Sequence, residues 1–212
     1  EAYTYYSLGA VNYRLNQYID AKQYFLKSQK LLLGLNEFEV LYDLNRYLGL
    51  TYEALNETAN ATIYYRKVLD EAEKKNDKVR ELQIRSYLAR LYYNSKSYSK
   101  ALKEYHYIEK NDPAFDKLFI YESLGKCYAG LLDTTNAIKY FKLSDQANPT
   151  RGIDWSARYY ENVSQSYKQA KSQDKYIDYQ KRAKTQNRIS KNFKAEVSNN
   201  TNIANELIFT NK

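Results

Sequence analysis

Tyrosine is the most frequent residue in this sequence that could do chemistry. The 212 residues include 25 Tyr but only one His and one Cys. A tyrosine hydroxyl can exchange protons, contact a ligand or mark the polar edge of a buried ring. The stretch "LARLYYNSKSYSKALKEYHYIEKNDP", which starts at Leu88, holds five tyrosines. Their spacing must decide between these roles.

The remaining reactive residues do not form a recognisable site. A structural or catalytic zinc site needs several His or Cys ligands at close spacing, and His106 and Cys127 stand alone. No phosphate-binding Gly-rich loop and no H-E-x-x-H pattern is present. We therefore predict no catalytic residue, no cofactor and no metal. We expect His106 to be a surface or half-buried residue and Cys127 to be a small buried one.

Composition favours a helical protein. Hydrophobic residues make up 43% and charged residues 27% of the chain, with six Gly and two Pro. So few helix breakers are unusual for β-rich folds. The apolar run "LLLGL" is far shorter than the ~18 residues of a membrane-spanning helix. Because the chain starts at Glu1 and lacks Met, we interpret it as a fragment or processed form. Its composition slightly favours the bacterial periplasm, with the cytoplasm as the alternative compartment.

Five similar segments run along the chain. They are "YSLGAVNYRLNQYIDAKQYF" from Tyr6, "RYLGLTYEALNETANATIYY" from Arg46, "SYLARLYYNSKSYSKALKEY" from Ser86, "ESLGKCYAGLLDTTNAIKYF" from Glu122 and the divergent "ENVSQSYKQAKSQDKYIDYQ" from Glu161. The first three start at equal intervals, and the later intervals are slightly shorter. A nearly fixed period of this size indicates stacked copies of one structural unit.

The spacing within a copy predicts a helical hairpin. In the fourth copy, Tyr121, Leu124, Gly125 and Tyr128 lie at i, i+3, i+4 and i+7, which is one face of a helix. Ala137 and an aromatic residue four positions later share one face of a second helix. The small residue after Leu lets the two helices approach, and the aromatic ring fills the gap. The nine tyrosines at these positions of the five copies are therefore predicted to pack, not to react, and some of the others to line a surface that can contact a partner.

The pattern resembles the tetratricopeptide repeat (TPR), W-x2-L-G-x2-Y followed by A-x3-F and P. The resemblance implies an all-α superhelix, or solenoid, of about five stacked hairpins with a C-terminal capping helix. We expect this array to occupy 1–197, with hairpins near 3–40, 41–80, 81–116, 117–155 and 156–190. A polar break and a further helix or tail would follow over 198–212. The longer period resembles that of repeats in bacterial signalling proteins.

Membership of this family would place a protein or peptide ligand in a concave groove lined by the first helices. The predicted contact residues, transferred position by position, are Tyr6, Tyr13, Arg46, Glu53, Arg90, Tyr93, Glu122, Lys126, Arg158 and Gln165. Tyr6 and Ala10 stand where chaperone-tail binders carry Lys and Asn, which argues against that particular ligand. The function we predict is a non-catalytic recognition module of a larger signalling or regulatory protein.

A basic C-terminal stretch leaves a second function open. Residues 151–194 contain 11 Lys or Arg and 4 Asp or Glu, a net charge of +7 out of +8 for the whole chain. Such a surface can bind nucleic acid or an anionic membrane. We favour the simpler interpretation that it is the solvated face that ends a repeat stack.

Overall fold

The computed structural model describes residues 1–33, 38–112, 114, 116–147, 153–169, 171–189 and 200–205. Within these ranges the chain is helical, with no strand. The helices are α1 (Ala2–Arg14), α2 (Tyr18–Leu32), α3 (Phe38–Ala54), α4 (Thr58–Lys74), α5 (Lys78–Asn94), α6 (Tyr98–Asn111), α7 (Lys117–Gly130), α8 (Thr134–Ala147), α9 (Ile153–Gln169) and α10 (Gln173–Ile189). Residues 200–205 are also helical, and the remainder of the predicted tail lies outside the described residues.

The helices pair in sequence order, and the chain divides into two compact units. Unit 1 is Glu1–Glu104 and unit 2 is Tyr105–Lys212, with the division inside α6. In unit 1, α1 packs on α2 and α3 packs on α4 within the hairpins. Between hairpins, α2 packs on α3 and α4 packs on α5. In unit 2, α7 packs on α8, α8 on α9 and α9 on α10. The predicted all-α helical repeat is thus confirmed.

Each hairpin turns at a residue in the left-handed conformation. Asn16, Asn56, Lys96, Leu132 and Lys171 have φ between 57° and 64°, and they recur at the same intervals as the sequence copies. The following backbone N–H donates to the carbonyl five residues before it, as from Glu57 to Tyr52 at 2.8 Å. This bond ends a helix in a Schellman arrangement. The polar stretch of each copy is therefore the turn.

Glycine and an aromatic ring hold a hairpin together at one close contact. A Cβ added to Gly49 would lie 2.4 Å from the Tyr65 ring, and one added to Gly125 would lie 2.6 Å from the Phe141 ring. Both rings are at most 2% exposed. In the fifth copy Ser164 and Gln180 take these positions, and the Gln180 amide donates to the Ser164 hydroxyl at 2.6 Å. The divergent copy has replaced a ring contact with a buried hydrogen bond.

Candidate functional site

The predicted contact residues of unit 1, here called the unit-1 row, begin with an aromatic cluster. The row comprises Tyr6, Tyr13, Arg46, Glu53, Arg90 and Tyr93. Tyr6 and Tyr13 lie on α1, and their ring centroids are 6.0 and 5.7 Å from that of Tyr47 on α3. Burial raises the pKa of both hydroxyls. The two predicted residues thus form one half-buried surface with a third tyrosine.

Glu53 on α3 and Arg90 on α5 join neighbouring hairpins. The guanidinium Nε and a terminal nitrogen of Arg90 donate to the two oxygens of Glu53 at 3.0 and 2.9 Å. The Tyr65 hydroxyl donates to the same carboxylate at 2.8 Å. These bonds hold a carboxylate that is only 16% exposed, while 43% of the Arg90 side chain remains accessible. The hydrogen bond to Glu53 also raises the pKa of Arg90, which stays charged.

The other two members of the unit-1 row make local contacts. Arg46 pairs with Asp43 at 2.8 Å, one turn earlier on α3. Its guanidinium lies 4.6 Å from the centroid of Tyr47, a cation–π contact. The Tyr93 ring lies 5.7 Å from Tyr98, the first residue of α6. Arg46 therefore belongs to the aromatic cluster, and Tyr93 lies beside a hairpin turn.

The predicted contact residues of unit 2, here called the unit-2 row, repeat the charge arrangement of Glu53 and Arg90. The row comprises Glu122, Lys126, Arg158 and Gln165. Glu122 on α7 lies 2.6 Å from the Lys126 amine, and Arg158 on α9 donates to it at 2.8 Å. The Glu122 side chain is 9% exposed, whereas Lys126 is 39% and Arg158 52% exposed. Gln165 is exposed further along α9.

Each row contains an inter-hairpin ion pair of the same arrangement, Glu53 with Arg90 and Glu122 with Arg158. In each, the carboxylate is less exposed than the arginine, and the paired residues are 37 and 36 positions apart. A charge-assisted hydrogen bond fixes the direction of the cation that donates it. Each row therefore offers an approaching molecule a positioned positive charge.

Sequence reasoning missed two tyrosines that contact the unit-1 row. Tyr47 and Tyr87 occupy the position before the Leu of their copies, and both are half-buried. Tyr47 contacts Tyr6, Tyr13 and Arg46, as described above. Tyr87 lies 5.6 Å from the Tyr65 ring and 5.4 Å from the Arg90 guanidinium. The sequence could have indicated both residues, because a tyrosine precedes the Leu in two successive copies.

His106 and Cys127, whose side chains could be reactive, have structural roles. His106 contacts the Glu109 carboxylate at 2.8 Å and the Tyr128 hydroxyl at 3.0 Å, within unit 2. Cys127 is fully buried, which raises the pKa of its thiol to about 12. A thiol of that pKa is a poor nucleophile near neutral pH. Among the described residues no group of three or more His, Cys, Asp or Glu side chains could hold a metal ion.

A small cleft in unit 2 adjoins the unit-2 row. Its enclosed volume is about 10 Å³, and its lining includes Glu122, Arg158, Tyr159 and Asn162. Pockets for drug-sized ligands are usually about 300–1,000 Å³. The cleft is therefore too small for a typical cofactor. No helix in the described part of the chain is long and apolar enough to cross a bilayer.

No protein-family model and no curated protein matches the chain. Solved structures do match it. Apo RapI superposes with a TM-score of 0.73 at 14% identity, over 90% of this chain and 72% of that one. MamA (residues 41 to the end) from Desulfovibrio magneticus RS-1 gives 0.67 at 16%, over 88% and 95%. TPR-like repeats of a putative kinesin light chain from Podospora anserina give 0.72 at 11%, over 89% and 95%. The chain has a TPR-like fold. At these identities the likeness extends to the fold alone.

Proposed function

We propose that this TPR-like chain is a non-catalytic scaffold that binds a protein or peptide through its first helices. The observation that carries the proposal is the shared arrangement of two ion pairs, Glu53 with Arg90 in the unit-1 row and Glu122 with Arg158 in the unit-2 row. Arg90 and Arg158 each pair with a carboxylate that is at most 16% exposed, and each keep about half of the side chain accessible. A positioned guanidinium favours a ligand with carboxylate groups, because it can donate two parallel hydrogen bonds.

The aromatic cluster adds a second feature to the proposed contact surface. Tyr6 and Tyr13 are half-buried rings that each lie within 6.0 Å of the Tyr47 ring. Tyrosine is enriched at protein interfaces, since a fixed ring offers large contact area and a hydroxyl. We expect peptides that combine acidic and apolar or aromatic residues to bind the unit-1 row.

An array of acidic peptides, with a matched array in which Asp and Glu are replaced by Asn and Gln, tests the proposal. We expect binding to the acidic peptides, weakened about tenfold by Arg90→Gln or Arg158→Gln because one charge-assisted hydrogen bond contributes roughly 1.5–3 kcal/mol. Lys74→Gln is the control, since this lysine is 70% exposed and lies on a second helix. Equal binding to both arrays, or equal loss in all three variants, would exclude this surface.

A larger protein is the context we propose for such a scaffold. A protein-binding repeat without a catalytic centre supplies recognition to a partner domain, and a bacterial signalling or regulatory protein fits that role. Co-purification of the natural gene product with a kinase or regulator, lost in Arg90→Gln, would support this context. Binding partners that belong only to structural assemblies would argue against it.

The basic end of the chain supports an alternative, binding of nucleic acid or an anionic surface. On α10, Lys175, Lys181, Arg182 and Arg188 are exposed. Arg182 pairs with Asp178 at 2.9 Å, and both side chains are 53% exposed. Heparin and DNA retention should then fall steeply with salt and disappear when Lys181, Arg182 and Lys184 are changed to Glu. Absence of retention near physiological salt would refute this alternative.

A further inference from the structure

The outer face of α1 exposes apolar residues at positions that are buried in all the other copies. Leu8 is 39% and Val11 is 51% exposed. The residues at the Leu8 position in the later copies are Leu48, Leu88, Leu124 and Val163, and all are 0% exposed. Those at the Val11 position are Thr51, Leu91, Cys127 and Ser166, which are at most 2% exposed. Leu8 and Val11 are therefore exposed because of their position in the array and not because of their residue type.

The packing of the later hairpins identifies what normally covers this face. Within unit 1, α2 packs on α3 and α4 packs on α5; within unit 2, α8 packs on α9. On each of these first helices the two positions are buried. We infer that the second helix of the preceding hairpin covers them, because it packs on each of these first helices. Among the first helices of the described hairpins, α1 is the one that has no described hairpin before it.

The α1 face does not have the character of a terminal cap. The end of a repeat stack usually carries a polar outer face, which keeps it soluble. Helix α1 contains one charged residue, Arg14. Leu15, just after α1, and Ile19, at the start of α2, are also exposed, at 61% and 62%. By contrast, the exposed face of α10 is rich in Lys and Arg. An uncharged, exposed apolar helix face indicates an interaction surface.

We propose that the α1 face binds a helical hairpin of the same repeat type, whose second helix packs along α1 over Leu8 and Val11. The proposal uses a surface different from the unit-1 row and does not depend on the proposed function. The register of the array supports it. Glu81 at the start of α5 corresponds to Glu1, two copies earlier, and only residues 75–77 separate α4 from α5. A hairpin stacked in phase would end next to Glu1.

The test extends the full chain with a hairpin of its own sequence. A second copy of residues 38–80 is fused directly before Glu1, which places the copied α4 where the repeat phase requires it. Amide hydrogen exchange is then measured in α1. We expect exchange at Leu8 and Val11 to slow about tenfold or more, because the face becomes covered. The double variant Leu8→Lys, Val11→Lys should abolish the slowing. Ile63→Lys in the original copy is the control, since Ile63 is similarly exposed, at 52%.

Unchanged exchange in the fused chain, or slowing that survives the double variant, would overturn the proposal. A dimer of the unfused chain that Leu8→Lys, Val11→Lys converts to monomer in sedimentation would also overturn it, because the face would then bind a second copy. If the fusion does not fold, the proposal is tested on the unfused chain. There the double variant should reduce binding of a hydrophobic dye and leave Tm within about 2 °C. A fall in Tm as large as that of Leu88→Lys would show that the face is already covered, and would refute the inference.

Discussion

The ion pair between Glu53 and Arg90 provides the most direct test of how the two rows hold their charges. We predict that a double-mutant cycle with Glu53→Gln and Arg90→Gln will show a coupling of about 1–2 kcal/mol in the free energy of unfolding. Gln at position 53 keeps the shape of the side chain and an oxygen that can accept from the Tyr65 hydroxyl. The substitution therefore removes the charge and leaves the packing in place.

The magnitude follows from distance and exposure. Unit charges about 4 Å apart interact by about 4 kcal/mol at an effective dielectric of 20 and by about 1 kcal/mol in bulk water. The Glu53 side chain is 16% exposed, which favours the higher value. The Arg90 side chain is 43% exposed, so solvent screening and the cost of ordering it lower the result. The two bonds of 3.0 and 2.9 Å keep the coupling above that of a typical surface pair.

Urea denaturation followed by circular dichroism measures the cycle, and Arg182 with Asp178 gives a matched control. That pair lies at i,i+4 on one helix with both side chains 53% exposed. Its coupling should be about 0.3–0.5 kcal/mol and should fall further in high salt. If the coupling of Glu53 and Arg90 is no larger than that of the control, the carboxylate does not hold the cation in place. The two rows would then lack the positioned charges on which the proposed function depends.

Three further predictions concern the hairpins. Gly49→Ala should destabilise the protein by about 1–2 kcal/mol in urea, because the clash with the Tyr65 ring outweighs a helix-propensity gain of about 1 kcal/mol; equal or higher stability would contradict the close contact. Cys127, with its pKa raised to about 12, should resist alkylation at pH 8 until the protein unfolds. Its contribution to stability should be complete below about pH 9 and lost as pH rises towards 12, whereas rapid native labelling would contradict its burial. Leu132→Asn should raise stability by about 1 kcal/mol, since Leu132 has φ 64° and is 64% exposed; an unchanged or lower midpoint in urea would show that its backbone is not strained.

The repeat pattern predicted the hairpins well because its signals are local. The Leu and Gly of a first helix recur in phase with the aromatic residue of the second helix, and the contact of Gly125 with Phe141 has the predicted form. Helix lengths also follow the period. The two longest intervals are spanned by α2 and α3, with 15 and 17 residues, and by α4 and α5, with 17 residues each. The shortest is spanned by α6 and α7, with 14 residues each.

The pairing of the candidate contact residues could not be predicted in this way. The row of ten residues came from one helical face, and a helical face does not say which neighbour a side chain reaches. Glu53 and Arg90 meet because their long side chains reach each other from α3 and α5 of neighbouring hairpins. Tyr47 joins Tyr6 and Tyr13 through the approach of α3 to α1. Both outcomes depend on how helices from different copies cross, which is not encoded in the spacing within a copy.

The sequence by itself determined the all-α class, the five copies, their turns and the packing role of the tyrosines at the repeat positions. These properties follow from side-chain spacing along single helices and hairpins. Only the tertiary structure decided which charges are buried, which remain at the surface, and that Leu8 and Val11 are exposed where Leu48 and Thr51 are buried. The physical reason is that burial is set by the neighbouring hairpin. The same residue type at the same position of the repeat is core or interface according to whether another helix lies against it.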